Sequence, residues 1–173
     1  AQEEVCLSKS NQAIQSLMEK LSTQLKAALK AGGPENAVKI CGQVAEPLTG
    51  STNVELDGLT ISRTSLKFRN SKNAPDQVDR GVLEKWQAFS DSKQALPGHE
   101  LIPLGQGRAL FYKPIVTQSI CLRCHGSVEN FSPELLTILE QHYPHDKARE
   151  YKEGDLRGAF RVMIDLNVAA SEK

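Results

Sequence analysis

Cys121-Leu122-Arg123-Cys124-His125 is the feature that most restricts what this chain can fold into. Two thiols three positions apart can add to the two vinyl groups on one porphyrin edge, and the histidine that follows is then held under the iron. A chain using C-x-x-C-H in this way must wrap a flat, apolar macrocycle, so it needs a pocket as well as a core. Gly126 gives the backbone room to turn away after His125. A structural zinc site needs more ligands in paired spacing, and there is no second C-x-x-C. A redox C-x-x-C would want a thioredoxin-like context, which the surrounding sequence does not supply. The motif occurs once. The expectation is one covalent haem c, attached through Cys121 and Cys124, with His125 as an iron ligand.

The rest of the chain reads as α+β. From about Ser8 to Ala31, Ile14, Leu17, Leu21, Leu25 and Ala28 recur at spacings of three and four, the mark of one long helix with one apolar stripe. Gly32-Gly33-Pro34 stops it. A second helix is expected from Pro34 to about Ala45, closed with help from Pro47. On it Ala37, Cys41, Val44 and Leu48 share a face, which turns Cys41 inward. Leu59 and Ile61 predict a strand, with Leu66 and Phe68 continuing on the opposite parity through a bulge or bend. Val78 to Ser90 predicts a helix. Arg108 to Thr117 predicts a strand that Pro114 places at an edge or bulge. Ser132-Pro133 is an N-cap followed by proline at the first helical position. Phe160, Val162, Ile164, Leu166 and Val168 alternate, predicting a strand with one buried face; Arg161 and Met163 fall on its polar face. Three strands and four helices in this order suggest a small antiparallel sheet with helices. The division expected is an N-terminal helix over 1–33 and a haem domain over 34–173.

Beyond the haem motif, several segments carry a resemblance. They are Ile40-Cys41, Arg63-Thr64-Ser65-Leu66-Lys67 with Asn70, and Asn73-Ala74-Pro75-Asp76. Tyr112-Lys113-Pro114-Ile115, Tyr143-Pro144, Asp146, Ala148, Tyr151 and Gly154 to Phe160 follow. Over most of its length the chain resembles a family of small exported c-type haem proteins with a PAS-like fold, long catalogued as a domain of unknown function. The resemblance implies a PAS-like antiparallel sheet flanked by helices, one haem c held by His and Cys, and a redox- or ligand-sensing role. It points to Cys41 as the second iron ligand beside His125. Cys6 is not one of the family's marks. It opens the alternative of a Cys6–Cys41 disulfide, which an oxidising compartment would permit.

Other residues compete for roles at the haem. Arg63 is a candidate partner for a haem propionate, since arginine pairs carboxylates bidentately; the alternative is a surface charge. Tyr112 and Arg157 are candidates for the same job. Met18, Met163, His142 and His145 are further candidate iron ligands, whereas His99 reads as solvated.

Composition narrows the function. The 21 basic and 21 acidic residues balance, so the basic excess of a nucleic-acid binder is missing. No apolar run is long enough for a membrane span. The start at Ala1-Gln2 suits a processed signal peptide, or an arbitrary boundary. Because c-type haem is normally attached outside the cytoplasm, export to a periplasm or a photosynthetic lumen is the expectation. The reading is redox or small-ligand sensing, or single-electron transfer, with electrons or signal passing to a partner protein and a small gas as a candidate ligand. A haem enzyme acting on sulfur compounds is the alternative. No Ser/His/Asp grouping and no paired carboxylates support catalysis, so the non-enzymatic reading is favoured.

Overall fold

The computed structural model describes residues 2–54 and 56–169; Ala1, on which the processed-terminus reading falls, lies outside them. The first helix, α1, is assigned as Gln2–Val54, but Gly32 and Gly33 break it into two halves. Gly33 has φ +68°, a left-handed conformation that glycine adopts without a steric penalty. The chain folds back there. Asn36 Nδ2 donates to the Ala28 carbonyl at 2.9 Å, and Lys20 Nζ donates to Thr52 Oγ1 at 3.3 Å, so the halves run antiparallel. Pro47 does not end the second half, which continues to Val54. Hydroxyls of Thr49 and Thr52 donate to the Ala45 and Leu48 carbonyls in this stretch.

The sheet has four antiparallel strands in the order β1-β4-β3-β2. They are β1 Leu59–Thr64, β2 Glu100–Gly105, β3 Arg108–Val116 and β4 Leu156–Asp165. The α+β class, the antiparallel sheet flanked by helices and the long N-terminal helix stand as expected. Two strand expectations change, and β2 is a strand the sequence reading did not foresee. Leu66 and Phe68 are not in a strand, because Ser65 turns the chain, its amide donating to the Asn73 carbonyl and its hydroxyl to the Arg157 carbonyl. β2 escapes the alternation rule because Pro103 interrupts it and its outer end is exposed. β4 stops at Asp165, whose carboxylate accepts from the Asn167 amide and starts the short helix α2, Leu166–Ala169, carrying Leu166 and Val168 out of the sheet. Pro114 lies in an interior strand, yet β2 begins opposite Tyr112. The missing N–H of Pro114 therefore faces no neighbour on that side.

Both faces of the sheet are buried, not one. Cys6, Ile14 and Leu17 of the first helix half pack on Phe111, Phe160, Val162 and Ile164. On the other face the helix α3, Gln77–Asp91, packs Val82, Leu83 and Trp86 on Leu110, Tyr112 and Ala159. Arg161 is therefore not a surface charge. Its Nε donates to Asp79 Oδ1 at 2.9 Å beneath α3, and its side chain is 20% exposed. Asp79 and Asp76 form the reciprocal cap that starts this helix. A last helix, α4 (Pro133–His142), is capped by Ser132, whose hydroxyl accepts from the Leu135 amide at 3.0 Å. Its Leu135, Ile138 and Leu139 pack against Val38 of the second half of α1, with Cys124 at the margin. The single-turn helix α5, Leu122–His125, lies beside this cluster.

Candidate functional site

A cleft with about 960 Å³ of non-protein space, part of it open to solvent, lies between the two halves of α1, β1 and α5. The space that water-sized spheres can occupy within it is about 280 Å³, at the lower end of the range for ligand clefts. One wall is apolar: Leu21 and Leu25 from the first half of α1, Ala37 and Val38 from the second. Leu21 and Leu25 belong to the stripe read from the sequence, but they are only half-buried. That stretch faces the cleft, whereas Ile14 and Leu17 face the sheet. Cys41 enters the same cleft from the second half of α1, and Cys124 and His125 from α5. Cys121 precedes them in a 3-10 turn, half-buried, its sulfur accepting from the Gln118 amide.

His125 is held in one state. Its Nδ1 lies 2.8 Å from the Ala148 carbonyl, so Nδ1 carries the proton and Nε2 is left bare. The Tyr151 ring meets the imidazole edge-on at 6.3 Å between centroids. Burial, followed by the charges of Arg69 and Arg157, holds the imidazole well below the usual histidine range. A neutral ring with a bare Nε2 is the form that binds a metal. Burial also pushes the Cys41 thiol up and the Cys124 thiol up to about 11.

Arg63 lies on β1 with its side chain in the cleft. Among the described residues no carboxylate pairs with it, and burial pulls its pKa down, with Arg157 adding to the effect. Arg157 donates to the Ser65 hydroxyl and the Lys67 carbonyl, and its guanidinium lies over the Tyr151 ring, 5.3 Å from its centroid. Two half-buried guanidiniums facing a cleft without carboxylate partners suit an acidic ligand edge. An apolar wall, two thiols, a bare imidazole nitrogen and two spare cations together match the chemistry of a haem.

Tyr112 does not belong to this site. It is fully buried on the α3 face of the sheet, its hydroxyl donating to Asp79 Oδ1 at 2.6 Å. Its period-two position sends it to the face opposite the neighbouring Phe111. The two methionines and the remaining histidines also lie away from the cleft. Met18 is 46% exposed and Met163 packs against the α3-side core. His142 and His145 have the H-x-x-H spacing but are exposed and outside the cleft. His99 is exposed, its ring stacked on Phe111. Cys6 and Cys41 are both free thiols; Cys6 lies in the sheet-side core and Cys41 in the cleft. Among the described residues no group of three or more His, Cys, Asp or Glu is arranged to hold a metal ion, and no helix is long and apolar enough to cross a membrane.

Sequence reasoning missed two features. Arg69 lines the cleft and reaches three backbone or side-chain partners at once; nothing local distinguishes it from any other loop arginine. Tyr143, at the C-terminal cap of α4, turns its hydroxyl toward Gly42, where a Cβ would stand only 2.6 Å away. Glycine beside Cys41 thus admits the tyrosine to the cleft wall.

Comparison with known proteins follows the same lines. The crystal structure of the cyanobacterial heme-protein Tll0287 superposes with a TM-score of 0.68 at 22% identity, covering 92% of this chain and 94% of that one. At that identity the likeness establishes the fold. A search of curated proteins finds no match. The sequence pattern of the Tll0287-like family matches residues 2–165, nearly the whole chain. The chain belongs to the Tll0287-like family.

Proposed function

We propose that this chain is a c-type haem protein with one haem bound covalently through Cys121 and Cys124, acting outside the cytoplasm in redox or small-ligand sensing or in single-electron transfer. The observation that carries the reading is His125 within C-x-x-C-H. The motif brings Cys124 and His125 to a half-apolar cleft, and the Ala148 carbonyl leaves the Nε2 of His125 bare. Cys41, which lines the same cleft on a separate element, is the second ligand in this reading. Arg63 and Arg157 take the propionates, replacing the carboxylate partners they lack. When bound, the haem would supply one-electron chemistry and a site for a small ligand. The chain's own part is to anchor, orient and partly desolvate it: Leu21, Leu25, Ala37 and Val38 exclude water from one wall. That the solved relative is a heme-protein supports the same conclusion.

The test is expression with a haem c maturation system, followed by acid-acetone extraction and a pyridine haemochrome spectrum. Covalent haem with a c-type spectrum is expected, and Cys121→Ser with Cys124→Ser abolishes it. An extractable haem in the native protein overturns the reading. Replacing Cys41 by Ser, with Cys6 intact, is expected to change the oxidised spectrum and raise the potential. Binding of carbon monoxide to the reduced protein favours sensing, and no binding favours electron transfer.

A further inference from the structure

We propose that Arg69 and Asp146 form a positioning clamp for His125, resting on the reading of His125 as the iron ligand. The Arg69 guanidinium is doubly bonded to the Asp146 carboxylate, Nε to Oδ1 and Nη2 to Oδ2, each at 3.1 Å. The Asp146 side chain is fully buried and that of Arg69 is 11% exposed. The pair holds one residue, Ala148, at both its amide and its carbonyl. Asp146 Oδ1 accepts from the Ala148 amide at 2.9 Å, while Arg69 Nη2 donates to the Ala148 carbonyl at 3.1 Å. That carbonyl is the one facing His125 Nδ1. The same Nη2 donates to the Cys124 carbonyl at 2.6 Å, on the residue just before the histidine. A single guanidinium therefore ties together the peptide that carries His125 and the carbonyl that orients its ring. Around this core, amides of Glu150 and Tyr151 donate to the carbonyls of Gly126 and His125, keeping the two segments side by side.

The physical consequence is specific. The partner of the non-ligating nitrogen sets the tautomer and ring orientation of a ligating histidine. The bonds of Arg69 and Asp146 run to each other and to the backbone of Ala148 and Cys124, not to the His125 ring, so they are positioning residues. Arg149 provides a control: its Nε donates to Asp146 Oδ2 at 2.8 Å, but none of its side-chain bonds reaches Ala148 or Cys124. If the pair acted through charge alone, Arg69→Gln and Asp146→Asn would move the haem potential in opposite directions, since one removes a cation and the other an anion. A clamp predicts that both loosen the same carbonyl and produce the same change.

The experiment uses the haem-loaded protein and records ferric electron spin resonance spectra with midpoint potentials for the wild type, Arg69→Lys, Arg69→Gln, Asp146→Asn and Arg149→Ala. The expected result is a second low-spin set of g values, absent from the wild type, in Arg69→Gln and Asp146→Asn alike. Arg69→Lys keeps the charge without the fork and is expected to show it too, so the prediction stands even if Arg69→Gln fails to fold. Arg149→Ala is expected to match the wild type. Unchanged g values, with potentials shifted in opposite directions in Arg69→Gln and Asp146→Asn, overturn the clamp. If the wild type itself carries no covalent haem, it is the haem reading that fails.

Discussion

Arg161→Ala tests the two-faced sheet most directly, because the strand alternation alone predicts a harmless loss of surface charge. In the structure this side chain, 20% exposed, meets an Asp79 side chain that is 6% exposed. Asp79 Oδ1 accepts both Arg161 Nε at 2.9 Å and the Tyr112 hydroxyl at 2.6 Å, and Oδ2 accepts the Asp76 amide. Removing one partner of a buried ion pair costs about 3–5 kcal/mol, most of it from stranding the other charge. Here the part of Arg161 that reaches solvent, and the two neutral donors left on Asp79, reduce the cost to about 2–3 kcal/mol. In a chain of this size that lowers Tm by about 4–12 °C. The assay is thermal unfolding followed by circular dichroism on the haem-loaded protein. Asp79→Asn in the Arg161→Ala background removes the stranded charge, so it is expected to cost at least about 1 kcal/mol less there than in the wild type. A Tm for Arg161→Ala within about 1 °C of wild type, or an Asp79→Asn effect equal in both backgrounds, refutes the buried pair.

The adjacent Val162 is fully buried on the other face. Val162→Asp is expected to cost more than about 4 kcal/mol and to leave little folded protein, read by soluble yield and near-ultraviolet dichroism. At Gly158, φ is +156° and a Cβ would stand 2.5 Å from the Thr64 carbonyl, a backbone atom that cannot step aside cheaply. Gly158→Ala is expected to cost about 3 kcal/mol by chemical denaturation. Burial pushes the Asp146 carboxyl up, but its bonds to Arg69 and Arg149 more than offset this and leave it below the ordinary carboxylate range. A depressed folded value means the stabilisation is full above the unfolded carboxylate range, near about 4, and is lost as pH falls through the lower folded value. The Tm gap between wild type and Asp146→Asn should therefore hold from pH 7 to 5 and narrow below about pH 4.

What the sequence determined by itself was local. The C-x-x-C-H motif, the apolar stripe of the first helix, the break at Gly33 and the Ser132-Pro133 helix start each depend on residues within a turn or two of one another. Spacing, backbone freedom and capping chemistry are readable at that range. The stripe could show that Ile14, Leu17, Leu21 and Leu25 share a face. Only the tertiary structure decided that the first two cover a sheet while the last two line a cleft. The same holds for β4, where alternation separated Val162 from Arg161 but could not show that α3 would cover the second face. Tyr112 looked like a site residue and became core, and Arg69 went unnoticed although it braces His125. Arg69 meets its partners Cys124, Asp146 and Ala148 across separations of 55, 77 and 79 residues. Contacts of that range arise when the chain folds back on itself, and no periodicity in the sequence encodes them.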